Sequence, residues 1–274
     1  MSTRRANTSC SNNPRASRAV LKSKKMSEAD KIISKDQPFL TGEKDDFKLV
    51  WLNDGTDYPA LLDAYFKGEL EMKCLAKGDY PARETYLVEA LGRKFIFKRI
   101  HQPPERRKRH IWDLISGTAF SRLMRETRKA IDNGCTIIPE AYLIAEKFIG
   151  YQYCIDSYLI TEFIEGEVLK GDPPSSGPWI TGLAETVGKL HDCGLASGAP
   201  HPWNLVKTDE GMKMIDISFK GPMVICQAHD TLDVKRKFDI DVPIKKLSIK
   251  IFSRLVFLKY DWHMFRKNLK KKFR

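Results

Sequence analysis

Three short segments in which apolar and polar residues alternate are the feature that most constrains this chain. They lie at 70–74, 85–90 and 94–100, with polar turns between them. Alternation with a period of two predicts strands that bury one face, and short turns predict antiparallel neighbours. Residues 77–83, which contain glycine and proline, are interpreted as a loop. The segments therefore predict a three-stranded antiparallel meander.

A helix and two further strands follow the meander. Apolar spacing predicts a helix over 112–131, with Asn133-Gly134 as its stop signal. Apolar runs at 142–146 and 158–163 predict two more strands. Three strands, a helix and two strands in this order predict an α+β lobe.

A more helical region begins after residues 171–178, where three prolines and two glycines predict a boundary. A helix is predicted over 178–193 from its apolar spacing. Short strands are predicted at 204–206 and 212–217. From about residue 230 the pattern becomes helical and increasingly basic.

These patterns divide the chain into three parts. Residues 1–47 are polar with few apolar anchors, so we expect disorder there. Residues 48–167 are predicted to form an N-terminal lobe of sheet plus one helix. Residues 168–274 are predicted to form a helical C-terminal lobe with a basic amphipathic tail. Six scattered cysteines without a CxxC pair predict reduced thiols rather than a structural metal site.

The positive charge is concentrated at the two ends of the chain. Of the net charge of +12, residues 1–25 carry +7 and residues 250–274 carry +8, so residues 26–249 carry −3. Basic ends favour anionic surfaces such as phosphate-rich lipid or nucleic acid. Residues 250–274 mix cations with apolar residues such as Leu255 and Trp262. This mixture suits a helix on an anionic membrane and equally one packed on the protein.

Two residues of the first lobe have the order that a kinase-like site requires. The sequence has no GxxxxGK[ST] or GxGxxG motif, so a nucleotide would need a different apparatus. Kinase-like phosphoryl transfer pairs a strand lysine with a helix glutamate. Lys98 lies on the third predicted strand, and Glu126 lies in the helix after it. Each residue alone is also typical of a solvated strand or helix face.

A predicted hairpin carries two oxygen ligands. Asn204 opens one strand, and Asp216 ends the next strand twelve residues later. Hard cations prefer oxygen ligands and keep water and phosphate in their remaining positions. The pair therefore predicts a Mg²⁺ site, whereas each residue alone would be interpreted as a loop cap or a strand end.

The chain resembles the bacterial lipopolysaccharide core heptose(II) kinases, within the wider class of kinase-like small-molecule phosphotransferases. The resemblance runs from about Gly92 to the C-terminus, and residues 1–68 show no clear match. Its motifs are Gly92-Arg-Lys-Phe-Ile-Phe-Lys98, Arg125-Glu126-Thr127, Ile144-Ala-Glu-Lys147, Ile164-Glu-Gly-Glu167, Lys189-Leu-His191, Ser197-Gly198, Pro200-His201, Asn204, Ile215-Asp216 and the basic tail. It implies an α+β, two-lobed protein-kinase-like fold with a small antiparallel-sheet N-lobe and a mostly helical C-lobe.

The resemblance also implies two cofactors, ATP and Mg²⁺, and a set of site residues. The implied residues are Lys98 for the ATP phosphates, Glu126 for the placement of that lysine, Asn204 and Asp216 for Mg²⁺, and Glu162 and Ile164 beside adenine. The implied reaction is ATP-dependent phosphorylation of a heptose in the lipopolysaccharide inner core.

One position departs from the family pattern. Such families read Ser-Gly-Asp-Pro-His in the loop before Asn204, with the Asp as catalytic base, and here that residue is Ala199. A methyl group cannot accept the proton of a hydroxyl. His201 in the same loop is the alternative base. Three interpretations stay open: an enzyme that relies on positioning and Mg²⁺, a pseudokinase that binds nucleotide without efficient transfer, or an altered copy of an active enzyme.

Other function classes fit the sequence less well. A glycine-poor loop at 77–84 and the lack of an Ala-Pro-Glu segment argue against a protein kinase. No nucleic-acid-binding motif accompanies the terminal charge, so no specific nucleic-acid partner is expected. We expect a heptose acceptor in the lipopolysaccharide core, and a cytoplasmic protein that contacts the inner membrane peripherally through 250–274.

Overall fold

The computed structural model describes the chain from Pro38 onward with short gaps, as residues 38–79, 82–101, 117–150, 153–169, 176–218 and 221–272. A hairpin opens this part, in which strand β1 (Phe39–Lys44) pairs with β2 (Phe47–Leu52). The prediction of disorder up to Phe47 is therefore wrong for residues 38–47. Residues 1–37, to which the rest of that prediction applies, lie outside the described residues.

A large antiparallel sheet forms the N-terminal lobe, in the strand order β1-β2-β6-β7-β5-β4-β3. The remaining strands are β3 (Met72–Asp79), β4 (Ala82–Ala90), β5 (Arg93–His101), β6 (Ala141–Ile149) and β7 (Tyr153–Glu162). The predicted meander and the two later strands are confirmed. The loop predicted at 77–83 is shorter, because β3 and β4 extend into it and pair there. Residues 80 and 81 lie outside the described part.

The two faces of this sheet have different partners. Helix α1 (Tyr58–Lys67), which the sequence pattern did not predict, covers one face and packs against Phe95 and Phe97 of β5. The same cluster buries Leu49 and Leu52 of β2, and the burial of these side chains explains why β2 joins the sheet. Side chains alternate along a strand, so Lys98 projects from the face opposite to Phe97.

Helix α2 (Ala119–Asp132) packs on this second face, where its apolar residues are buried against β6 and β7. The sequence predicts this helix over 112–131. It begins at Ala119 because the side chain of Thr118 accepts a hydrogen bond from the N–H of Ser121, which is the geometry of an N-cap. Residues 111–116 lie outside the described residues.

The C-terminal lobe is mostly helical. It contains helices α3 (Pro178–Asp192), α4 (Met223–Phe238) and α5 (Leu247–Lys272), and a small sheet in the order β10 (Gly211–Met214), β9 (Leu205–Thr208), β8 (Glu167–Val168). The predicted helix over 178–193 and the helical C-terminal region are confirmed. The strand predicted at 204–206 begins one residue later, because Pro202–Asn204 form a 3-10 turn. The strand predicted at 212–217 ends at Met214.

The predicted α+β, two-lobed protein-kinase-like fold is confirmed. The predicted division between residues 167 and 168 falls inside β8, which pairs with β9. That division stays a prediction. In the part of the chain that the structure describes, no helix has the length and apolar character needed to span a bilayer.

Candidate functional site

A lysine of the N-terminal lobe meets a carboxylate of the C-terminal lobe. Lys98 Nζ lies 3.0 Å from Asp216 Oδ1 and donates a 3.4 Å hydrogen bond to the carbonyl oxygen of Ile215. The side chain of Asp216 is 58 % exposed, and that of Lys98 is 22 % exposed. An exposed pair of this kind contributes about 0–1 kcal/mol to stability. The carboxylate therefore stays accessible, and the pair is too weak to be a main stabiliser of the fold.

The predicted ion pair between Lys98 and Glu126 is not formed. Glu126 Oε1 lies 3.2 Å from Nε of its neighbour Arg125 on α2. The ammonium of Lys98 is satisfied by Asp216 and a backbone carbonyl instead. Both predicted residues lie on the expected elements, but the partner of the lysine is the candidate metal ligand rather than the helix glutamate.

The hairpin predicted to unite Asn204 and Asp216 is present. Strands β9 and β10 pair antiparallel, and the N–H of Ile215 donates a 2.9 Å hydrogen bond to the carbonyl oxygen of Asn204. The side-chain Nδ2 of Asn204 donates to the carbonyl oxygen of Ala199 at 3.0 Å. Because Nδ2 is the donor in this bond, Oδ1 is the acceptor that the amide of Asn204 retains.

A buried aspartate of α4 holds the loop that precedes Asn204. Asp230 Oδ2 accepts a 2.6 Å hydrogen bond from the N–H of Ser197, and its Oδ1 accepts a 2.8 Å bond from the N–H of Gly198. Its Oδ2 also lies 3.4 Å from His191 Nε2. Hydrogen bonds to a charged group contribute about 1.5–3 kcal/mol each, so this carboxylate is a strong anchor of the loop. No local pattern signals this role, because the bonded amides lie 33 and 32 residues earlier in the chain.

The same loop lies backbone against backbone with the segment after Asp216. The N–H of Ser218 donates a 2.9 Å hydrogen bond to the carbonyl oxygen of Ser197. Gly198 has φ +74°, and a Cβ at that position would collide with the carbonyl oxygen of Ser218. Glycine is therefore required both by its backbone conformation and by the lack of space.

The position of the expected catalytic base carries the exposed methyl group of Ala199. His201, the alternative base, accepts a 3.4 Å hydrogen bond at Nδ1 from the N–H of Trp203. The centroid of its ring lies 4.3 Å from that of Trp203 and 6.0 Å from that of Phe238. Burial, and then the charge of Lys237, lower the pKa of His201. These contacts favour a structural role for this imidazole as the cap of the 3-10 turn.

The residues predicted to lie beside adenine are at the end of β7, for Glu162, and in the connection from β7 to β8, for Ile164. Glu162 Oε2 accepts a 3.2 Å hydrogen bond from the N–H of Glu140, and the N–H of Glu162 donates to Glu140 O at 2.9 Å. Glu162 also pairs with Phe95, on the α1 side of the sheet. Its carboxylate is therefore engaged away from Lys98. Ile164 is half-buried, and its backbone forms no hydrogen bond with the part of the chain described.

A cavity of about 630 Å³ lies beside this connection. Of the predicted site residues, only Glu162 lines it, so the cavity is separate from the Lys98–Asp216 pair. An ion pair of 2.6 Å between Lys94 and Glu165 lies at its wall. The lining residues are Glu89, Ala90, Gly92, Arg93, Lys94, Tyr142, Glu162, Phe163 and Glu165.

Comparison with known proteins identifies one family along most of the chain. Residues 45–272 match the family described as "Lipopolysaccharide core biosynthesis protein (WaaY)". The chain is 25 % identical over 213 residues to the lipopolysaccharide core heptose(II) kinase WaaY of Escherichia coli strain K12, covering 78 % of this chain and 87 % of that protein. A second E. coli protein of that name is 26 % identical over 159 residues, covering 58 % and 69 %. The match begins well before Gly92, where the sequence resemblance was predicted to start.

Solved structures with kinase-like folds are also similar to this chain. WaaP in complex with acyl carrier protein gives a TM-score of 0.40 at 16 % identity, covering 74 % of this chain and 83 % of that one. The complex of Neurospora crassa PAN2 with the PAN3 pseudokinase and C-terminal region gives a TM-score of 0.37 at 11 % identity. In that case 69 % of this chain is covered, and the chain spans 53 % of the matched one.

Proposed function

The chain belongs to the lipopolysaccharide core biosynthesis protein (WaaY) family, and on this premise we propose that it transfers phosphate from ATP to a heptose hydroxyl of the lipopolysaccharide inner core. Relatives from E. coli carry the name lipopolysaccharide core heptose(II) kinase. Their 25–26 % identity supports a phosphotransferase of core biosynthesis. Because ATP is a cytoplasmic cosubstrate, the proposed reaction takes place on the cytoplasmic side of the inner membrane.

The observation that carries this proposal is the contact of Lys98 with Asp216, the residue after the hairpin whose other end carries Asn204. The sheet of one lobe supplies the cation, and one hairpin of the other lobe supplies the amide and the carboxylate. Kinase-like phosphoryl transfer uses a lysine to neutralise phosphate charge and an Asn and an Asp to hold Mg²⁺. The Lys98–Asp216 pair is weak, so phosphate oxygens can replace the carboxylate as partner of the ammonium at small cost.

Asn204 and Asp216 fit a Mg²⁺ ion that arrives with its nucleotide. One offers an amide oxygen and the other an exposed carboxylate, and Mg²⁺ commonly takes one or two such ligands together with water and phosphate. Among the residues with described side chains, no group of three or more His, Cys, Asp or Glu could form an all-protein metal site. When bound, the ion would neutralise phosphate charge.

The main chain of Ile164 is the proposed contact for adenine. Its N–H and C=O form no hydrogen bond with the described residues, and it lies two residues after β7, the strand that pairs with β5. Glu162 contributes to this part of the proposal only through its carbonyl oxygen, because its carboxylate and its N–H both bond to the backbone of Glu140.

Ala199 determines how the acceptor hydroxyl would react. Without a carboxylate at this position, transfer would rely on positioning and on neutralisation of phosphate charge. The loss of a general base costs on the order of 10²–10⁴ in rate, which leaves a slow enzyme rather than an inert one. Asp230 and Gly198 would still hold the loop in place for the acceptor.

A second candidate function rests on the same residue. A pseudokinase would bind ATP through Lys98 and Asp216 and transfer no phosphate, because Ala199 offers no base. The two candidates predict the same nucleotide binding and differ only in turnover.

The test is the transfer of labelled phosphate from ATP·Mg²⁺ to dephosphorylated core lipopolysaccharide that contains heptose. The protein would be compared with the variants Lys98→Ala, Ala199→Asp and Ala199→Asn. The asparagine variant is a control, because its side chain has the size of aspartate but cannot act as a base. We expect transfer by the protein, its loss in Lys98→Ala, and faster transfer in Ala199→Asp but not in Ala199→Asn.

Other outcomes have distinct meanings. Transfer that appears only in Ala199→Asp would assign the chain to the pseudokinase candidate. Undiminished transfer by Lys98→Ala would remove the proposed role of that lysine. If neither the parent nor any variant transferred phosphate, and ATP·Mg²⁺ stabilised none of them, the use of a nucleotide would be excluded.

A further inference from the structure

Helix α5 has apolar residues on two opposite faces. One face packs on the protein, where Ile249 and Ser253 are buried. On the same side, the guanidinium carbon of Arg236 in α4 lies 4.0 Å from the ring centroid of Tyr260. At 3.6 residues per turn, the three α5 residues share one side of the helix. This packing explains one apolar face and leaves the other to be explained.

The opposite face exposes an apolar stripe, defined as Leu247, Ile251, Leu255, Leu258 and Trp262. Each of these side chains is 50–70 % exposed. Their spacing of three or four residues places them within an arc of about 80° and along about 22 Å of the helix. Single exposed apolar side chains are ordinary, whereas a continuous row of this length is typical of an interaction surface.

Exposed cations flank the apolar stripe. By helical spacing, Lys250 and Arg254 lie on one side of it and Lys259 on the other. Over the helix Leu247–Lys272 the sequence has eight Lys or Arg and one acidic residue, Asp261. An apolar row between cations is the arrangement with which interfacial helices bind membranes. The aliphatic side chains enter the boundary between headgroups and acyl chains, and the cations stay at the phosphates.

We propose that the apolar stripe of α5 docks this protein on the surface of an anionic lipid bilayer. A second copy of the chain would place the same cations opposite Lys250, Arg254 and Lys259, and like charges repel. An anionic headgroup layer neutralises these cations while it covers the apolar side chains. The helix lies on the bilayer rather than across it, because charged residues interrupt its apolar sequence.

The biological use of this surface rests on the proposed function, because the proposed acceptor is part of a membrane glycolipid. Docking would bring the site to an acceptor that is confined to the same surface. The binding itself can be measured without ATP or acceptor. A failure of docking is therefore distinguishable from a failure of phosphate transfer.

Cosedimentation of the 274-residue chain with lipid vesicles tests the apolar part of the proposal. The double substitution Leu255→Gln/Leu258→Gln removes the middle of the stripe, and Leu91→Gln removes an equally exposed leucine from the turn between β4 and β5. We expect the double variant to bind phosphatidylglycerol-containing vesicles at least about tenfold more weakly. The Leu91→Gln control should bind like the parent, and the thermal unfolding midpoints of all three should agree.

A comparison of lipids tests the electrostatic part. The parent should prefer phosphatidylglycerol-containing vesicles to pure phosphatidylcholine, and added salt should weaken this preference. Most of the preference for phosphatidylglycerol should be lost in the triple variant Lys250→Gln/Arg254→Gln/Lys259→Gln. Equal binding by the stripe variant and the Leu91→Gln control would overturn the proposal, as would a parent that does not bind vesicles. A dimer that the stripe substitutions abolish, without vesicle binding, would assign the surface to a second copy instead.

Discussion

Lys98 Nζ and Asp216 Oδ1 lie 3.0 Å apart and join the sheet of the N-terminal lobe to the hairpin of the C-terminal lobe. Both side chains are groups that the proposed phosphoryl transfer would use, and in this structure they bond to each other. The carboxylate is more than half exposed, so the pair contributes about 0–1 kcal/mol to stability. Its loss should therefore affect ligand binding more than folding.

The first prediction concerns the lysine of this pair. Lys98→Ala should abolish the rise in thermal unfolding midpoint on addition of ATP·Mg²⁺, because the phosphates lose their cation, and should change the free energy of unfolding by less than about 1 kcal/mol. Lys94→Ala is the matched control, since Lys94 lies on the same strand and pairs with Glu165 at 2.6 Å. An ATP-dependent shift that persists in Lys98→Ala would contradict the prediction.

The second prediction concerns the buried anchor of the loop. Asp230→Ala should lower the free energy of unfolding by about 3 kcal/mol, because the amides of Ser197 and Gly198 lose a charged acceptor. Asp233→Ala on the same helix should cost at most about 1 kcal/mol, since its pairing with Lys237 at 3.6 Å is partly exposed. Urea denaturation of both variants measures the difference, and equal costs would argue against the anchor.

The third prediction separates backbone strain from collision. Gly194 and Gly198 both have positive φ, of +83° and +74°, but only at Gly198 would a Cβ collide with another atom. Gly194→Ala should lower the free energy of unfolding by about 1–2 kcal/mol, because alanine is strained at positive φ. Gly198→Ala should cost at least about 1 kcal/mol more, because the segment that contains Ser218 must move. The same variant should also weaken ATP·Mg²⁺ binding, and an unchanged affinity would disconnect this contact from the site.

The fourth prediction concerns pH. Burial lowers the pKa of His201, so the unfolded chain takes up this proton more readily than the folded one. The stability at this position is therefore fully present above the ordinary histidine pKa of about 6.5, and it is lost as the pH falls from there through the lower pKa of the folded state. Relative to the parent, His201→Asn should gain stability between about pH 7.5 and 5.5, because Asn can cap the turn and does not titrate. A difference that is independent of pH would be inconsistent with a neutral, turn-capping imidazole.

The fifth prediction concerns the acceptor. Trp203 is 50 % exposed and directly precedes Asn204, so its ring offers an apolar face to a sugar beside the candidate metal ligand. In whichever form transfers phosphate, Trp203→Ala should raise KM for core lipopolysaccharide about tenfold and leave KM for ATP unchanged. Trp203→Phe should retain most of the affinity. Equal changes in both KM values would point to a general disturbance of the loop.

Local patterns predicted the elements that carry the site. Alternation with a period of two placed Lys98 on a strand, and the spacing of Asn204 and Asp216 predicted the hairpin that unites them. These inferences succeed because periodicity and turns are properties of neighbouring residues. The prediction of disorder failed for residues 38–47 because apolar partners of that stretch, such as Tyr158 beside Phe47, lie far along the chain.

Local sequence patterns gave the order of most elements after residue 70, the residue types at the candidate site and the absence of a carboxylate at Ala199. Which of these groups lie in contact became clear from the packing of the folded chain. Lys98 pairs with Asp216 across 118 residues rather than with Glu126, and Asp230 of α4 holds a loop about 30 residues before it. Periodicity in the sequence shows that one face of an element is buried, but it does not identify the segment that packs against that face. Pairing and exposure depend on how distant segments pack, since each polar group bonds to the partner that packing brings within reach.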